Sequence, residues 1–437
     1  METTVIGCGY LGATHAACLA ELGYDVLGVE VDAHKRALLA SGQVPFYEPG
    51  LQDLLATHVA SGRLRFTDSF EEAAAFADLH FVCVGTPQLP DSMGADTSQV
   101  EAAVRALAPH LTRPSYVVGK STVPVGTAAR MAALVAELSP VGGEAELAWN
   151  PEFLREGFAV EDTLAPDRIV LGVATEKAEK VLREVYAPLL DAGTPLVVTD
   201  YATAELVKVA ANAFLATKIS FINAVAEVCE AAGADVVDLA DAIGHDARIG
   251  RRFLNAGIGF GGGCLPKDIR AFVHRAGELG VDDALTFLRQ VDDVNQRQRQ
   301  RVARIATAML GGSVTRARIC VWGAAFKPDS DDVRDSPALS IAGRLHVRGA
   351  KVTVYDPQAT ETARARFPTL DYASSAVDAA RDADLVLHLT EWPEFRAVDI
   401  AEVSTVVRRQ LLLDGRNLLD LPAWRAAGWT ARGLGRG

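Results

Sequence analysis

Basic charge is the first thing in short supply. The 437 residues carry 43 Lys and Arg against 56 Asp and Glu, a formal net charge of -13. A nucleic-acid-binding protein shows a basic footprint, so that class is excluded, although an anionic small molecule needs only a few local cations. Cysteine is scarce as well. Cys8, Cys18, Cys83, Cys229, Cys264 and Cys320 are scattered with no CxxC pair, which indicates neither a zinc site nor a disulfide framework. The N-terminus has no basic segment and runs straight into Thr4-Val5-Ile6, so no signal peptide is expected. No uninterrupted apolar run reaches the ~18 residues of a membrane span. The expectation is a cytoplasmic protein without membrane attachment, in a compartment that keeps thiols reduced.

Core material is ample. Hydrophobic residues make up 49% and charged residues 23%, enough for two or three domains at roughly 100–200 residues each. The first stretch reads as strand, glycine turn, helix and strand: Thr3 to Ile6, Gly7-Cys8-Gly9-Tyr10-Leu11-Gly12, Ala13 to Leu22, and Asp25 to Val29 closed by Glu30. This is GxGxxG in the context that gives it meaning. Its glycines admit a pyrophosphate, and the helix N-terminus offers it N–H groups. Glu30 follows at the spacing of an acid that holds a ribose diol, which favours NAD over NADP. More strands follow, each running into a loop of small or polar residues: Leu79 to Val84, Tyr116 to Lys120 and Leu147 to Asn150.

Ala204 to Ala232 contains neither Gly nor Pro and predicts a helix longer than about 40 Å. Glu205, Lys208 and Asn212 share one face of it. The α/β pattern then resumes with Ala317 to Trp322, Pro337 to Gly349, Lys351 to Tyr355 and Asp384 to Thr390, after a hinge near Gly311-Gly312-Ser313. The fold class expected is α/β: two Rossmann-like doubly wound domains, residues 1–198 and 313–437, joined by a central helical domain at 199–312 with one long helix.

One segment carries most of the chemical information: Gly259-Phe260-Gly261-Gly262-Gly263-Cys264-Leu265-Pro266-Lys267-Asp268. A cysteine at the end of a glycine run, with a cation close behind, is placed as a nucleophile, because the thiolate is the reactive form. A buried small hydrophobe in a turn is the alternative. Asp268 also reads as the N-cap of a helix over Ile269 to Glu278.

Several motifs in order make the chain resemble the UDP-glucose/GDP-mannose dehydrogenase family over nearly its whole length. They are GCGYLG at Gly7–Gly12, PFYEPGL at Pro45–Leu51, VGTP at Val84–Pro87 and STVPVGT at Ser121–Thr127. NPEFLREG at Asn150–Gly157, PDRIVLG at Pro166–Gly172, GFGGGCLPKD at Gly259–Asp268 and AFKPDSDDVRDSPAL at Ala325–Leu339 follow. The resemblance implies NAD-dependent, four-electron oxidation of a sugar CH₂OH at C6 to a carboxylate, most like the UDP-glucose branch. Cys264 would capture the aldehyde as a thiohemiacetal and carry a thioester. Lys208 and Asn212 would stabilise oxyanions, Asp268 and Thr122 would hold a water, and Glu152 would be the base for thioester hydrolysis.

The resemblance also carries over Gly7, Gly9, Tyr10, Leu11, Gly12, Glu30, Lys35, Thr86, Thr122, Glu156 and Arg334 as NAD contacts. For the nucleotide sugar it carries over Phe153, Leu154, Lys208, Asn212, Arg248, Phe253, Phe260, Gly261, Lys327 and Arg416. Arg248 would complete a neighbouring site in a homodimer. No metal is implied. The chain departs from the family pattern at Glu30, where Asp is usual, at Gly263, where Ser or Thr is common, at Leu265, where an aromatic is frequent, and at Asn255. The same chemistry on dTDP-glucose, GDP-mannose or UDP-N-acetylmannosamine stays open. A two-electron dehydrogenase would survive loss of Cys264, and a silent NAD-binding scaffold would lack the catalytic set that this chain retains.

Overall fold

The computed structural model describes residues 1–436. They form two compact units, Met1–Ala211 with Arg270–Gly280, and Asn212–Ile269 with the described residues from Val281 onward.

The first unit is built on eight strands: β1 (Glu2–Ile6), β2 (Asp25–Val29), β3 (Leu64–Thr67), β4 (Leu79–Val82), β5 (Ser115–Gly119), β6 (Ala145–Trp149), β7 (Ile169–Gly172) and β8 (Leu196–Thr199). Their order is β3-β2-β1-β4-β5-β6-β7-β8. The pairs are parallel except β6 with β7, which meet antiparallel at Trp149 and Gly172. Strands such as Leu79–Val82 and Ile169–Gly172 are buried along their whole length, as a sheet covered by helices on both faces requires. One face packs around Val5, Phe81 and Leu171, the other around Val82, Trp149 and Met131. The order reverses between β1 and β4, so the turns after those strands lie together at the carboxyl edge, where open α/β sheets bind ligands.

The second unit repeats the plan with six parallel strands: β9 (Arg318–Trp322), β10 (Lys351–Tyr355), β11 (Asp371–Tyr372), β12 (Leu385–His388), β13 (Leu411–Asp414) and β14 (Thr430–Gly433). Their order is β11-β10-β9-β12-β13-β14. The helix Thr286–Met309 packs Val302, Ala303 and Ala306 into the same core as Val321, Leu339 and Leu387. Gly311-Gly312 therefore joins elements that share one core, so the segment read as a hinge lies inside this unit.

The long helix is Tyr201–Ala232, 32 residues. It passes from the first unit into the second. By length and composition it could cross a membrane, with a best-window hydropathy of 1.4, and 44% of that window is buried. Glu205, Lys208 and Asn212 on its one face are all buried. Phe214, Phe221 and Val228, seven residues apart, are 68%, 53% and 65% exposed, so an unpartnered apolar stripe runs along another.

Candidate active site

The glycine turn begins at Gly7, whose φ of +85° belongs to the left-handed region that glycine enters without a steric penalty. The helix that follows is Tyr10–Glu21, three residues longer at its start than the sequence suggested, with Gly9 as N-cap and no side chain capping it. Its first N–H groups are thus left for a ligand. A Cβ on Gly9 would meet nothing within 4 Å, whereas one on Gly12 would lie 1.8 Å from the Gly7 carbonyl oxygen. One glycine keeps space open and the other lets the turn close. Glu30 is buried at the end of β2, accepting from Cys8 N at 3.1 Å and Asp32 N at 3.0 Å. Open space, free N–H groups and a fixed acid fit a pyrophosphate and a ribose diol. Tyr10 and Leu11 open the helix, and Lys35 is exposed on the helix Ala33–Ala40. Thr86 donates to the Thr122 carbonyl at 2.7 Å, which ties the loops after β4 and β5 together.

Lys208 pairs with Glu152 at 2.9 Å, both nearly buried. Glu152 also accepts from Leu154 N at 2.7 Å, so its second oxygen is held as well. Phe153 is covered by the Arg168 guanidinium, 3.8 Å from the ring centroid. Glu156 is buried. Thr122 is half-buried in the loop before the helix Thr127–Leu138. Glu205 holds that loop: its carboxylate accepts from Gly126 N at 2.8 Å and Ala128 N at 2.6 Å. Burial raises its pKa against those bonds. The face-sharing of Glu205 with Lys208 therefore serves loop placement.

In the second unit Cys264 is the one exposed cysteine, and the other five are buried. It immediately precedes the helix Leu265–Glu278. That helix starts four residues earlier than the N-cap reading of Asp268 assumed, because Pro266 is tolerated in a first turn, where its missing N–H costs nothing. Asp268 sits inside the turn, its N–H donating to the Cys264 carbonyl at 3.0 Å. The free N–H groups of the turn favour negative charge at the sulfur end. Asp268 is buried and held from two sides, by Asn212 Nδ2 at 2.7 Å and Lys267 Nζ at 2.6 Å. A Cβ on Gly263 would fall 2.4 Å from Cζ of Arg334. The departure at 263 thus lets a guanidinium lie against the backbone before the nucleophile. Arg334 also pairs with Asp332 at 2.7 Å, and its carbonyl accepts from Gly262 N at 2.9 Å.

Of the residues expected at the nucleotide sugar, Phe260 and Gly261 are buried in the same loop. Arg416 follows β13, donating to the Leu389 carbonyl at 2.7 Å and the Phe326 carbonyl at 3.1 Å. Lys327 follows β9, 5.6 Å from the Phe326 ring centroid. Both stand at the carboxyl edge of the second sheet. Phe253 holds a φ of +67°, an uncommon conformation for an aromatic residue. Arg248 is 89% exposed and pairs with Asp246 at 2.6 Å.

Four residues escaped the sequence reading. Asn295 is fully buried and spends both amide groups on Phe260, accepting from its N–H at 2.8 Å and donating to its carbonyl at 3.0 Å. Glu48, inside PFYEPGL, accepts from Tyr10 OH, from Gly157 N at 2.6 Å and from Ala159 N at 2.7 Å. Burial and that acid push the Tyr10 pKa up. Lys120 is buried on Asn150 Oδ1 at 2.8 Å, and burial brings its pKa down to about 8. Asn150 in turn donates to the Val170 carbonyl at 2.8 Å. Asn295 lies in the polar run Asp292-Asp293-Val294-Asn295-Gln296-Arg297, so nothing in its local sequence marks it out.

Comparison with known proteins agrees with this geometry. Residues 1–190 match the NAD binding domain of the UDP-glucose/GDP-mannose dehydrogenase family, residues 202–297 its central domain and residues 320–421 its UDP binding domain. The chain is 43% identical over 438 residues to a UDP-glucose 6-dehydrogenase of Rhizobium meliloti, covering 100% of both chains. It superposes on a UDP-glucose dehydrogenase from Pyrobaculum islandicum with a TM-score of 0.91 at 38% identity, covering 100% of this chain and 98% of that one. A UDP-D-ManNAc dehydrogenase from Pyrococcus horikoshii gives 0.88 at 28% identity, covering 100% of each. NAD is the cofactor that this first domain is built to hold, and the chain belongs to the UDP-glucose/GDP-mannose dehydrogenase family.

Proposed function

We propose that this protein oxidises UDP-glucose at C6 to UDP-glucuronate, with two NAD⁺ and one water consumed per sugar. The observation that carries the chemistry is Cys264, exposed ahead of a helix whose first turn buries Asp268 on Asn212 and Lys267. The substrate rests on the UDP-glucose 6-dehydrogenases it is similar to.

NAD⁺, held by Gly7, Gly9, Gly12 and Glu30, supplies a hydride acceptor for each of the two oxidations. Lys35, Thr86, Glu156 and Arg334 are assigned to its remaining contacts. Between the oxidations the Cys264 thiolate adds to the C6 aldehyde, forming a C–S bond while the carbonyl oxygen takes a proton. The second oxidation leaves a thioester. Water then adds to that carbon, the C–S bond breaks and the thiolate is restored. Lys208 and Asn212, one turn apart on the long helix, stabilise the oxyanions. Asp268 and Thr122 hold a water, and Glu152 takes its proton. The covalent link keeps the aldehyde from escaping.

Phe153, Leu154, Phe253, Phe260, Gly261, Lys327 and Arg416 are assigned to the nucleotide sugar, the cations to its diphosphate. We assign the long helix Tyr201–Ala232, which opens the central segment expected at residues 199–312, as the element that pairs two chains. The exposed stripe of Phe214, Phe221 and Val228 supports this, since a heptad-spaced apolar line suits a second copy. Arg248, exposed in its own chain, then serves the neighbouring site. An exposed nucleophilic thiol suits a reducing compartment, the cytoplasm. Initial rates with UDP-glucose, dTDP-glucose, GDP-mannose and UDP-N-acetylmannosamine test the assignment. UDP-glucose is expected to give the highest kcat/KM, and no NADH from it would overturn the reading.

A further inference from the structure

The second unit carries an open surface groove of about 660 Å³, lined by the exposed Arg344, Arg348 and Arg366, the buried Arg299 and the half-buried Phe367, with Asp335 the one carboxylate among its lining residues. In a chain of net charge -13 this is a concentrated positive field. Among the described residues, Arg344, Arg348 and Arg366 make no ion pair or side-chain hydrogen bond. Unpaired guanidinium groups around one hollow are suited to phosphate oxygens, which they bind in a planar, bidentate fashion. The volume lies inside the roughly 300–1,000 Å³ of small-molecule sites, far more than a lone phosphate needs. Phe367, half-buried against the core, is the one aromatic ring in the lining, and aromatic rings are surfaces on which a base stacks.

The lining also includes a charge pair with unmatched buried polar atoms. Arg299 is 3% exposed, and its Nη1 meets Asp335 Oδ1 at 2.7 Å. Its Nε and the Asp335 Oδ2 are both buried with no partner among the described residues. A buried guanidinium facing a carboxylate through one contact leaves a donor and an acceptor unmatched, which is costly. Asp335 also holds a φ of +46°. The same Arg299 donates through Nη2 to the Phe260 carbonyl at 2.9 Å, and a Cβ on Gly261 would fall 2.3 Å from the Asp335 carbonyl oxygen. The pair in the groove lining is therefore the backing of the loop that ends in Cys264.

We propose that this groove is an effector site for a nucleoside polyphosphate, separate from the glycine turn and from Lys327 and Arg416. Its phosphates rest on Arg344, Arg348 and Arg366, and its base lies on Phe367. An anion reaching Arg299 competes with Asp335 for it, which loosens or resets the support of Phe260 and so changes the exposure of Cys264. The coupling is reciprocal: whatever fixes the loop changes affinity for the anion.

The test is calorimetric titration of the NAD⁺-saturated protein with ATP, in the wild type and in Arg344→Gln/Arg366→Gln. The expected result is a binding event weakened at least about tenfold in the double variant, with inorganic pyrophosphate binding more weakly than ATP. Alkylation of Cys264 by iodoacetamide is expected to change rate with ATP in the wild type and not in the variant. If the double variant melts low, Arg348→Gln alone carries the same expectation at about threefold. ATP affinity unchanged by these substitutions overturns the site, and equal affinity for pyrophosphate overturns the nucleotide. These readouts need no turnover, so they stand apart from the choice of sugar substrate.

Discussion

Asn295→Ala should loosen the nucleophile's loop from a fully buried position on another helix. Asn295 reaches Phe260 from the helix Thr286–Met309 through two bonds of 2.8 and 3.0 Å. It can approach because residue 259 has no side chain: a Cβ there would sit 2.4 Å from its Oδ1. Truncation removes two bonds of about 1 kcal/mol each, and it leaves the buried Phe260 N–H unpartnered at about 1–3 kcal/mol more. The Phe260 carbonyl keeps its bond from Arg299 at 2.9 Å, so the loss is partial. The sum, about 3–5 kcal/mol, is a large share of a typical 5–15 kcal/mol stability. Urea denaturation measures the global part. Cys264, as the one exposed cysteine, reports the local part through its alkylation rate, which should rise. Asn295→Asp keeps the acceptor for Phe260 N but turns an oxygen toward the Phe260 carbonyl, so it should fall between. A variant within about 0.5 kcal/mol of wild type, with unchanged alkylation, would refute the reasoning.

Other consequences follow from single contacts. Gly12→Ala drives a Cβ into the Gly7 carbonyl at 1.8 Å, so NADH binding by fluorescence titration should be lost; retained affinity would mean the turn opens without cost. Gly263→Ala must displace the Arg334 guanidinium, 2.4 Å from the new Cβ. The displaced atoms are a flexible tip, so stability should change by less than about 1 kcal/mol while KM for NAD⁺ rises, and an unmoved KM would count against Arg334 as an NAD contact. Lys120, with its pKa brought from 10.5 to about 8 by burial, binds fewer protons folded than unfolded between those values. Stability should therefore rise with pH across that window, by about 3 kcal/mol in all, and Lys120→Met should lack the rise in denaturation midpoints.

Much of this was legible in the chain itself. The turn at Gly7–Gly12 and the acid at Glu30 declare themselves because Gly7 and Gly12 answer local steric demands that other residues do not meet, while Gly9 keeps space open. The exposed thiol was legible from its glycine surroundings. The supports were not. Asn295 lies 35 residues after Phe260, and Glu48 lies 109 residues before Gly157. Such pairings arise only when helices pack on sheets, and no local period encodes them. Asp268 misled locally, since an acid after proline reads as an N-cap, while the helix in fact begins at Leu265. Gly263 looked like a missing hydroxyl and turns out to face a guanidinium. Side-chain placement, invisible in one dimension, changes what that departure means.

The central claim is that Cys264 carries one sugar through two oxidations. Counting NADH formed per UDP-glucose consumed at completion tests it most directly. Two NADH are expected for each UDP-glucose, with UDP-glucuronate as product in the wild type and none in Cys264→Ala. One NADH per sugar, or undiminished uronate from Cys264→Ala, would contradict it.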